Sequence, residues 1–267
     1  MEAVAEMREV RAARCDVVAS PQAKPHSHTA ALAALAAITA FNLLYLAYAC
    51  PHDLAPDEAH YWHWSRNLDW SYYSKGPLVA WLIRASCELF GDTTFAVRLP
   101  AALCGTALLA GLYVLVADVL KDRRLALGAM LAAATLPGVA AASTIMTIDA
   151  PFLACWCGSL VFLNRGRWSL AGVCTALGIL AKYPMILLPF FAAIPLRGRP
   201  GFFRYPLVSA LGCVPILIWN ANHDWISFRH VLGQSGANEP MNPLAPLTFL
   251  GGQVRVLPGF WFVAFAP

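Results

Sequence analysis

The amino-acid sequence predicts an all-α, polytopic membrane protein, and three observations carry this prediction. Hydrophobic residues make up 59% of the 267 residues and charged residues only 13%, against roughly 25% charged residues in an average soluble chain. The mean hydropathy is +0.57. Long apolar runs follow one another, separated by short polar breaks. These features exclude an ordinary soluble enzyme, a disordered regulator and a nucleic-acid-binding protein.

The N-terminal region predicts a tail followed by a first membrane span. Residues 1–29 are polar and mixed in charge, and we expect them to form a disordered cytoplasmic tail. The apolar run at residues 29–50 is about 20 residues long, which is enough to cross the hydrocarbon core of a bilayer. A cleaved signal peptide has a shorter apolar region of about 7–15 residues. We therefore predict an uncleaved signal-anchor helix, with cleavage near Ala49 as the alternative.

Further apolar runs predict the rest of a transmembrane catalytic bundle over residues 30–267, with about eight spans in all. They cover residues 97–118, 125–142, 147–163, 168–182, 183–196, 205–220 and 245–267. Two of these spans share residues 168–196, so each helix rises only about 21 Å against a hydrocarbon core of about 30 Å. We expect a short hairpin that turns at residues 182–184, and one long helix is the alternative. The last run is still apolar at Pro267, so we expect the C-terminal part of the bundle to be missing.

The placement of the basic residues predicts the orientation of the bundle. Alternate breaks, together with the N-terminal tail, hold 12 of the 19 Lys and Arg residues, whereas the other breaks hold most of the acids. Because basic residues accumulate on the cytoplasmic side, the N-terminus is predicted to be cytoplasmic and the acidic loops extracytoplasmic. The net charge of +4 is then explained by the basic residues of the cytoplasmic segments, and it does not indicate that the protein binds an acidic partner.

The loop at residues 51–77 carries the first candidate functional residues. Pro56 followed by Asp57 and Glu58 suits a helix start, where acids are favoured in the first turn. A helix over residues 57–66 places Asp57, His60 and Tyr61 on one face. The dense Trp and Tyr content of the loop is typical of a membrane interface. We predict an interfacial helix that directs carboxylates towards a cavity, and acids that merely cap the helix are the alternative.

Asp149 is a second candidate acid. It lies at the predicted outer end of a span, just before Pro151. A charge costs about 2.5–3.5 kcal/mol at mid-bilayer and less at the interface, so a functional acid and an N-cap for the helix that starts at Pro151 are both open.

We predict no metal site and no cofactor. A divalent metal held by His60 or His63 with His223 and Asp224 is the alternative. A hydrogen-bonded loop turn at residues 223–225 is the favoured interpretation of the latter two residues.

Three segments of the sequence stand out together: residues 57–66 (DEAHYWHWSR), 73–82 (YSKGPLVAWL) and 90–100 (FGDTTFAVRLP). In this order they resemble glycosyltransferase family 39, which includes protein O-mannosyltransferases and the aminoarabinose transferases that modify lipid A. Residues 147–151, 178–184 and 218–228 agree with the same pattern, so the resemblance runs from about residue 50 to 230. It implies a GT-C bundle in the bacterial inner membrane. Such an enzyme moves a sugar from a polyprenyl-phosphate donor to an extracytoplasmic hydroxyl of a lipid, glycan or protein acceptor, with inversion.

The resemblance also implies roles for individual residues. Asp57 is expected to be the general base, and Glu58 to orient or tune it, since adjacent carboxylates raise one another's pKa. Lys75 is expected to neutralise the departing phosphate. Asp149 is expected to be a second acid that contacts acceptor or sugar.

Three more residues complete the expected substrate-binding set: His60, Tyr73 and Lys182. The aminoarabinose transferases carry Arg at the position of His60, where it helps to bind phosphate, so His60 implies a different donor headgroup or a weaker phosphate contact. Lys182 is expected to hold phosphate or to snorkel to the interface.

Two other functions remain open from the sequence. A transporter or flippase for lipid-linked saccharides also has many helices, broken spans and interfacial charges. The gathering of ionisable residues on one predicted surface favours catalysis over passage through the bilayer. The other alternative is an inactive, truncated relative of the transferases.

Overall fold

The computed structural model describes residues 26–234 and 244–256. Within these ranges the chain forms helices joined by loops and contains no β-strand, which confirms the all-α class. Residues 1–25 of the tail predicted at residues 1–29, and residues 257–267 of the last predicted span, lie outside the described ranges.

The helices are numbered from α1 in chain order. The first half contains α1 His26–Leu44, continued by a π-helical turn Tyr45–Ala49, α2 Pro56–Arg66, α3 Leu78–Phe90, α4 Thr94–Leu120, α5 Arg123–Ala134, α6 Pro137–Ala142 and α7 Asp149–Asn164. The second half contains α8 Trp168–Ala181, a 3-10 turn Tyr183–Ile186, α9 Leu187–Leu196, α10 Arg204–Ala210, α11 Cys213–Ala221, α12 Ile226–Gln234 and α13 Ala245–Val256.

Local chemistry accounts for several helix ends. The Thr93 side chain accepts a hydrogen bond from the backbone N–H of Ala96 at the start of α4, and the Asp122 carboxylate accepts two backbone N–H groups at the start of α5. Both are typical N-caps. Lys121 between these helices is left-handed, with φ 56°, and this reverses the chain.

Each predicted span is largely helical over its described residues, but the span predicted at residues 147–163 begins its helix only at Asp149, and two other spans are broken. Residues 125–142 divide into α5 and α6 because Pro137 cannot continue the hydrogen-bonding of a helix. Residues 205–220 divide into α10 and α11. Helix α1 begins at His26, so residues 26–29 belong to the helix and not to the predicted tail.

Helix α3 has no counterpart among the predicted spans. It buries an apolar face of Val79, Ala80, Ile83 and Cys87, while Arg84 and Glu88 form an i,i+4 ion pair on the other side. A helix with apolar residues on one face and charged residues on the other is amphipathic, so α3 is not a membrane span.

The short hairpin predicted at residues 168–196 is present. Lys182 is extended, with φ −150° and ψ 122°, and separates α8 from the 3-10 turn that leads into α9. Near the turn, Ile179 belongs to one apolar cluster with Met185 and Leu188. At the far end, Ala171 of α8 shares a cluster with Ala192 of α9. The chain therefore reverses at Lys182.

The outer surface of the bundle is apolar. Two helices, residues 28–49 and 94–120, are long and apolar enough to cross a membrane. Large side chains on the shorter helices are also exposed, including Phe190 at 68% and Ile194 at 76%. Contiguous apolar surface of this kind requires a hydrophobic partner, and a lipid environment supplies one.

Helix α4 is the central element, since it packs against α1, α3, α5 and α7. Helix α7 in turn packs on α8, and α2 packs on α3. This arrangement brings the N-terminal ends of α2 and α7 to one side of the bundle, together with the loop at residues 67–77 and the turn after α8.

Candidate active site

One cavity of about 510 Å³ gathers most of the candidate residues that the sequence indicates. Five of them line it: Asp57, His60, Tyr73, Lys75 and Asp149. The other lining residues are Pro56, Tyr61, Ser74, Thr147, Ile148 and His230. Glu58 and Lys182 are not among the lining residues: Glu58 is buried against Arg98, and Lys182 contacts the lining residue Asp149.

Helix α2 forms one wall of the cavity. It begins at Pro56, as expected for a proline at the first helical position, and directs Asp57, His60 and Tyr61 to the cavity. Burial raises the pKa of Tyr61 to about 12, and the negative charges of Asp57 and Asp149 contribute to the shift. Tyr61 therefore stays protonated at neutral pH and offers a hydroxyl donor close to both carboxylates.

Asp149 is the first residue of α7 and not the N-cap of a helix that starts at Pro151. Its Oδ1 lies 2.6 Å from the Nζ of Lys182. Lys182 also lies 5.6 Å from the centre of the Phe152 ring. The Lys182 ammonium is thus bound to Asp149, so its direct role towards phosphate stays a prediction. The sequence carried no signal for this pair because its members are 33 residues apart.

Glu58 is fully buried and paired with Arg98 of α4. The Nη2 of Arg98 lies 2.7 Å from Glu58 Oε2, and its Nε lies 2.9 Å from Oε1. The carboxylate also accepts the backbone N–H groups of Ala55 and Met146, each at 2.9 Å. Burial raises the pKa of Glu58, but the hydrogen bond from Arg98, the two N–H groups and the Arg98 charge together lower it below its ordinary value.

The Glu58–Arg98 pair joins the segments that carry the two cavity acids. Glu58 follows Asp57 directly on α2, and Met146 lies three residues before Asp149. Arg98 in addition donates to the carbonyl oxygens of His52 and Asp53 in the preceding loop. These contacts hold Asp57 and Asp149 in a fixed relation, so we interpret Glu58 as a positioning residue and not as a group within the cavity.

The loop that carries Tyr73 and Lys75 is fixed by aromatic and polar contacts. The ring of Tyr72 stacks on Trp64 at 4.3 Å, and the backbone N–H of Tyr72 donates to the carbonyl of Lys75. The Nε1 of Trp219 in α11 donates to the Asp69 carboxylate at 2.6 Å. The sequence predicted an aromatic interface here, but it did not indicate these long-range anchors.

Gly76 follows Lys75 at a point of close backbone approach. A Cβ atom at this position would lie 2.1 Å from the carbonyl oxygen of Leu180 in α8. We expect Gly76→Ala to push the loop away from α8, to lower the free energy of unfolding by about 1–3 kcal/mol and to displace Lys75. Unfolding in detergent and donor turnover measure these effects.

Gly128→Ala in α5 is the matched control, since a Cβ there meets nothing within 4 Å. It should leave stability unchanged or raise it by up to about 1 kcal/mol. If Gly76→Ala lowered the free energy of unfolding no more than Gly128→Ala, the close approach of Gly76 to the Leu180 carbonyl would be contradicted.

Sequence reasoning missed His230, which lines the cavity from α12. The ring of His230 lies 5.2 Å from the ring of Tyr73. It stands in an otherwise unremarkable amphipathic segment, and only the packing of α12 on the loop at residues 67–77 brings it to the cavity.

An apolar cavity of about 570 Å³ adjoins the polar one. The two share Thr147 and Asp149 as lining residues. The remaining lining residues come from the residue before α6, from α6, from the loop after it and from α7: Leu136, Pro137, Gly138, Val139, Ala141, Ala142, Ile145 and Leu153. Polar and apolar binding surfaces therefore meet at Asp149.

The alternative metal site is not assembled. In the described part of the chain, no group of three or more His, Cys, Asp or Glu side chains is placed to hold a metal ion. The ring of His223 instead stacks on Trp219 at 4.0 Å and bonds to the Trp219 carbonyl, in a loop turn where Asp224 and Trp225 have positive φ. The metal requirement itself stays a prediction.

The helical fold, the apolar surface and the one-sided cavity define a class of integral membrane proteins with a polar site at one end of the bundle. Comparison with known proteins gives the family. A model described as dolichyl-phosphate-mannose-protein mannosyltransferase matches residues 74–220, which is more than half of the chain. The chain belongs to this family of GT-C glycosyltransferases, and the predicted resemblance is confirmed.

One curated protein is similar in sequence to this chain. The lipid A galacturonosyltransferase RgtD of Rhizobium johnstonii is 32% identical over 199 residues, which cover 67% of this chain and 41% of the relative. The chain thus spans about two-fifths of the length of that relative. No solved structure matches the chain.

Proposed function

We propose that this protein transfers a sugar from a polyprenyl-phosphate donor to the hydroxyl group of an extracytoplasmic acceptor. The observation that carries the proposal is the convergence of Asp57, Lys75 and Asp149 on one cavity. A base that takes the acceptor proton and a cation that stabilises the leaving phosphate are the groups that a direct displacement uses, and a second acid can orient the substrate hydroxyls.

The chemistry is a single displacement. The acceptor oxygen attacks the anomeric carbon and forms a new C–O bond, while its proton passes to the Asp57 carboxylate. The bond between the anomeric carbon and the phosphate oxygen breaks, and the electron pair leaves with the polyprenyl phosphate. Lys75 stabilises the charge that develops on this leaving group. One displacement inverts the configuration at the anomeric carbon.

Asp149 and its partner Lys182 contribute a neutral, oriented pair at the boundary of the two cavities. Held at 2.6 Å from Lys182, the Asp149 carboxylate accepts hydrogen bonds from sugar or acceptor hydroxyls. Tyr61, protonated at neutral pH, donates to the same region. These groups orient the substrates, which lowers the entropic part of the barrier.

The adjoining apolar cavity supports a lipid-linked donor. Its lining is almost entirely aliphatic, so it suits the hydrocarbon of a polyprenyl chain or of a lipid acceptor, with the phosphate directed to Lys75. The relative acts on lipid A by its name, and we propose a lipid-linked saccharide as the acceptor class for this chain as well.

The arrangement of charges supports transfer at one face in preference to transport. Asp149 lies at one end of α7, and a third cavity of about 400 Å³ includes Asn164 at the other end, about 22 Å away along the helix. This third cavity shares no lining residue with the polar one. Among the described residues, the polar groups of the site therefore gather at one end of α7, as expected for transfer at one face.

Lys75→Ala tests the proposed role of the lysine. We expect the rate of transfer from polyprenyl-phosphate donors to fall about 100-fold, because loss of a transition-state charge contact typically costs a factor of about 10²–10³. Steady-state turnover in membranes measures this. A surrogate donor whose leaving group is uncharged should lose far less.

Lys121→Ala is the control, since Lys121 lies in the turn between α4 and α5 and not at the cavity. Equal losses with charged and uncharged leaving groups would assign Lys75 a structural role and contradict the proposal.

A further inference from the structure

The third cavity, at the end of the bundle away from the proposed active site, has no role in the transfer reaction. It lies between α4, α7 and α9 and has a volume of about 400 Å³. Two polar residues line it, Asn164 and Arg199, and they follow the apolar lining of α7 and α9 along the chain. The other lining residues are apolar: Leu115, Leu160, Leu163, Leu188, Phe191, Ala192, Pro195 and Leu196.

The floor of the third cavity is buried, and its rim is open to the surroundings of the bundle. Leu163, Leu188 and Ala192 are at most 7% exposed, whereas Phe191 is 61% exposed. The apolar lining follows α9 from Leu188 to Leu196, a rise of about 12 Å. An apolar groove of this length on the outer surface of a membrane-embedded bundle suits a section of a lipid acyl chain.

The loop that carries Arg199 is held in place on both sides. The backbone N–H of Arg199 donates to the carbonyl of Leu196 at 2.9 Å, directly after α9. The Nε1 of Trp168 donates to the carbonyl of Pro200 at 2.9 Å. Phe202 is buried, and its ring lies 5.6 Å from the ring of Trp168. These contacts fix the position of Arg199 at the polar end of the cavity.

This end of the bundle carries an excess of positive charge. Its three chain segments contain eight Lys and Arg residues but only two Asp residues: residues 118–124, 164–167 and 197–204. Asp118 pairs with Arg165, and Asp122 caps α5. No acid in the described part of the chain forms an ion pair with Arg199. Both acids at this end are therefore engaged elsewhere, and Arg199 has no counter-ion among the described residues.

Two general rules place basic residues at this end without a ligand. Basic residues accumulate on the cytoplasmic side of a membrane protein, and cations are favoured at helix C-termini. Arg197, directly after α9, satisfies both rules. Neither rule requires a further arginine and an amide at the end of an apolar cavity, so the position of Arg199 and Asn164 needs another explanation.

We propose that the third cavity binds an anionic glycerophospholipid, with an acyl chain in the apolar groove and the headgroup phosphate at Arg199 and Asn164. A guanidinium forms charge-assisted hydrogen bonds with phosphate, and a side-chain amide adds a further N–H donor. Basic pockets between transmembrane helices bind acidic lipid headgroups by the same chemistry. The excess of positive charge favours a headgroup with a net negative charge over a zwitterionic one.

The inferred lipid site is independent of the proposed transfer reaction. The third cavity shares no lining residue with the polar cavity or with the apolar cavity at Asp149. A lipid in this groove contacts both α7 and α9. It therefore binds the folded state of the bundle and should stabilise it by mass action.

The test titrates the purified full-length protein in detergent with two lipids that have the same acyl chains, anionic phosphatidylglycerol and zwitterionic phosphatidylcholine. The rise in unfolding temperature with lipid concentration gives an apparent affinity. Phosphatidylglycerol should stabilise the protein at lower concentrations than phosphatidylcholine. Arg199→Gln should weaken the apparent affinity for phosphatidylglycerol about tenfold, the equivalent of one charge-assisted hydrogen bond. The same variant should leave the affinity for phosphatidylcholine unchanged.

Arg167→Gln is the matched control. Arg167 lies at the same end of the bundle, but it is exposed and does not line the third cavity. The substitution removes the same charge from the same end and should leave both apparent affinities unchanged.

Three results would overturn the lipid site. Equal stabilisation by the two lipids would remove the preference for an anionic headgroup. Equal losses in Arg199→Gln and Arg167→Gln would mean that the basic end attracts anions without a defined site. Equal stabilisation by inorganic phosphate at the same concentration would mean that the apolar groove holds no acyl chain. The titration does not depend on turnover, so its outcome is separate from that of the proposed reaction.

Discussion

Asp57→Asn is expected to abolish sugar transfer while the protein still inserts and folds. The substitution preserves the size of the side chain and removes the proton acceptor, and general bases contribute a factor of about 10²–10⁴ to catalysis. Asp57 is exposed at the cavity, so the fold does not depend on its charge. Turnover at saturating donor, measured in membranes with equal amounts of protein, gives the size of the effect.

Asp53→Asn is the matched control, because Asp53 is another exposed acid of the same loop and does not line the cavity. It should retain nearly normal turnover. Donor binding by Asp57→Asn, followed as thermal stabilisation, should also be retained. Near-normal turnover of Asp57→Asn would remove Asp57 from the catalytic role.

Glu58→Gln is expected to produce the largest loss of stability. It leaves the Arg98 guanidinium as a buried charge without its partner, and removal of one member of a buried ion pair costs about 3–5 kcal/mol. It also weakens the hydrogen bond to Met146 and so loosens the segment that leads to Asp149. Chemical unfolding in detergent should show the loss of stability, and turnover should fall with it.

Asp92→Asn provides the comparison for this effect. Asp92 pairs with Arg66 at 2.8 Å, but the two side chains are 51% and 27% exposed. Exposed pairs contribute about 0–1 kcal/mol, so this variant should be nearly as stable as the wild type. A Glu58→Gln variant that loses no more stability than Asp92→Asn would contradict the assigned role of the buried pair.

The pH dependence of unfolding follows from the same pair. The pKa of Glu58 is lower in the folded protein than its ordinary value, so its contribution is complete above the unfolded pKa of about 4.3. The contribution is lost as the pH falls through the folded pKa. As the pH falls below this unfolded pKa, the wild type should therefore lose more stability than Glu58→Gln.

Much of the fold follows from the hydrophobic pattern alone. The apolar runs of the predicted spans are largely helical over their described residues. The hairpin turns at Lys182 because extended backbone and Pro184 interrupt helical hydrogen bonding. The pattern did not predict α3, since its charged residues remove it from the hydropathy signal of a span. It also did not predict the break before Pro137, although a proline inside an apolar run is a recognised cause of one.

The sequence predicted those parts of the candidate site whose residues are close together in the chain. It did not predict the parts that are brought together by packing between distant segments. Asp57 and His60 are one helical turn apart, and their common face could be deduced from spacing. The different roles of Asp57, which lines the cavity, and Glu58, which is buried, could not be deduced from spacing. They depend on Arg98, which pairs with Glu58 from 40 residues away. His230 reaches the cavity only through the anchor of Ser227 on Tyr72, a contact across 155 residues.

The central claim is that the cavity at Asp57 and Lys75 transfers sugar from a polyprenyl phosphate. The most direct measurement supplies membranes containing the full-length protein with a panel of labelled polyprenyl-phosphate sugars and follows release of the polyprenyl phosphate. Membranes that contain equal amounts of Asp57→Asn serve as the paired control. The account predicts that the wild type consumes at least one donor and that the variant consumes none. Failure of the folded wild-type protein to consume any donor, or equal consumption by Asp57→Asn, would contradict it.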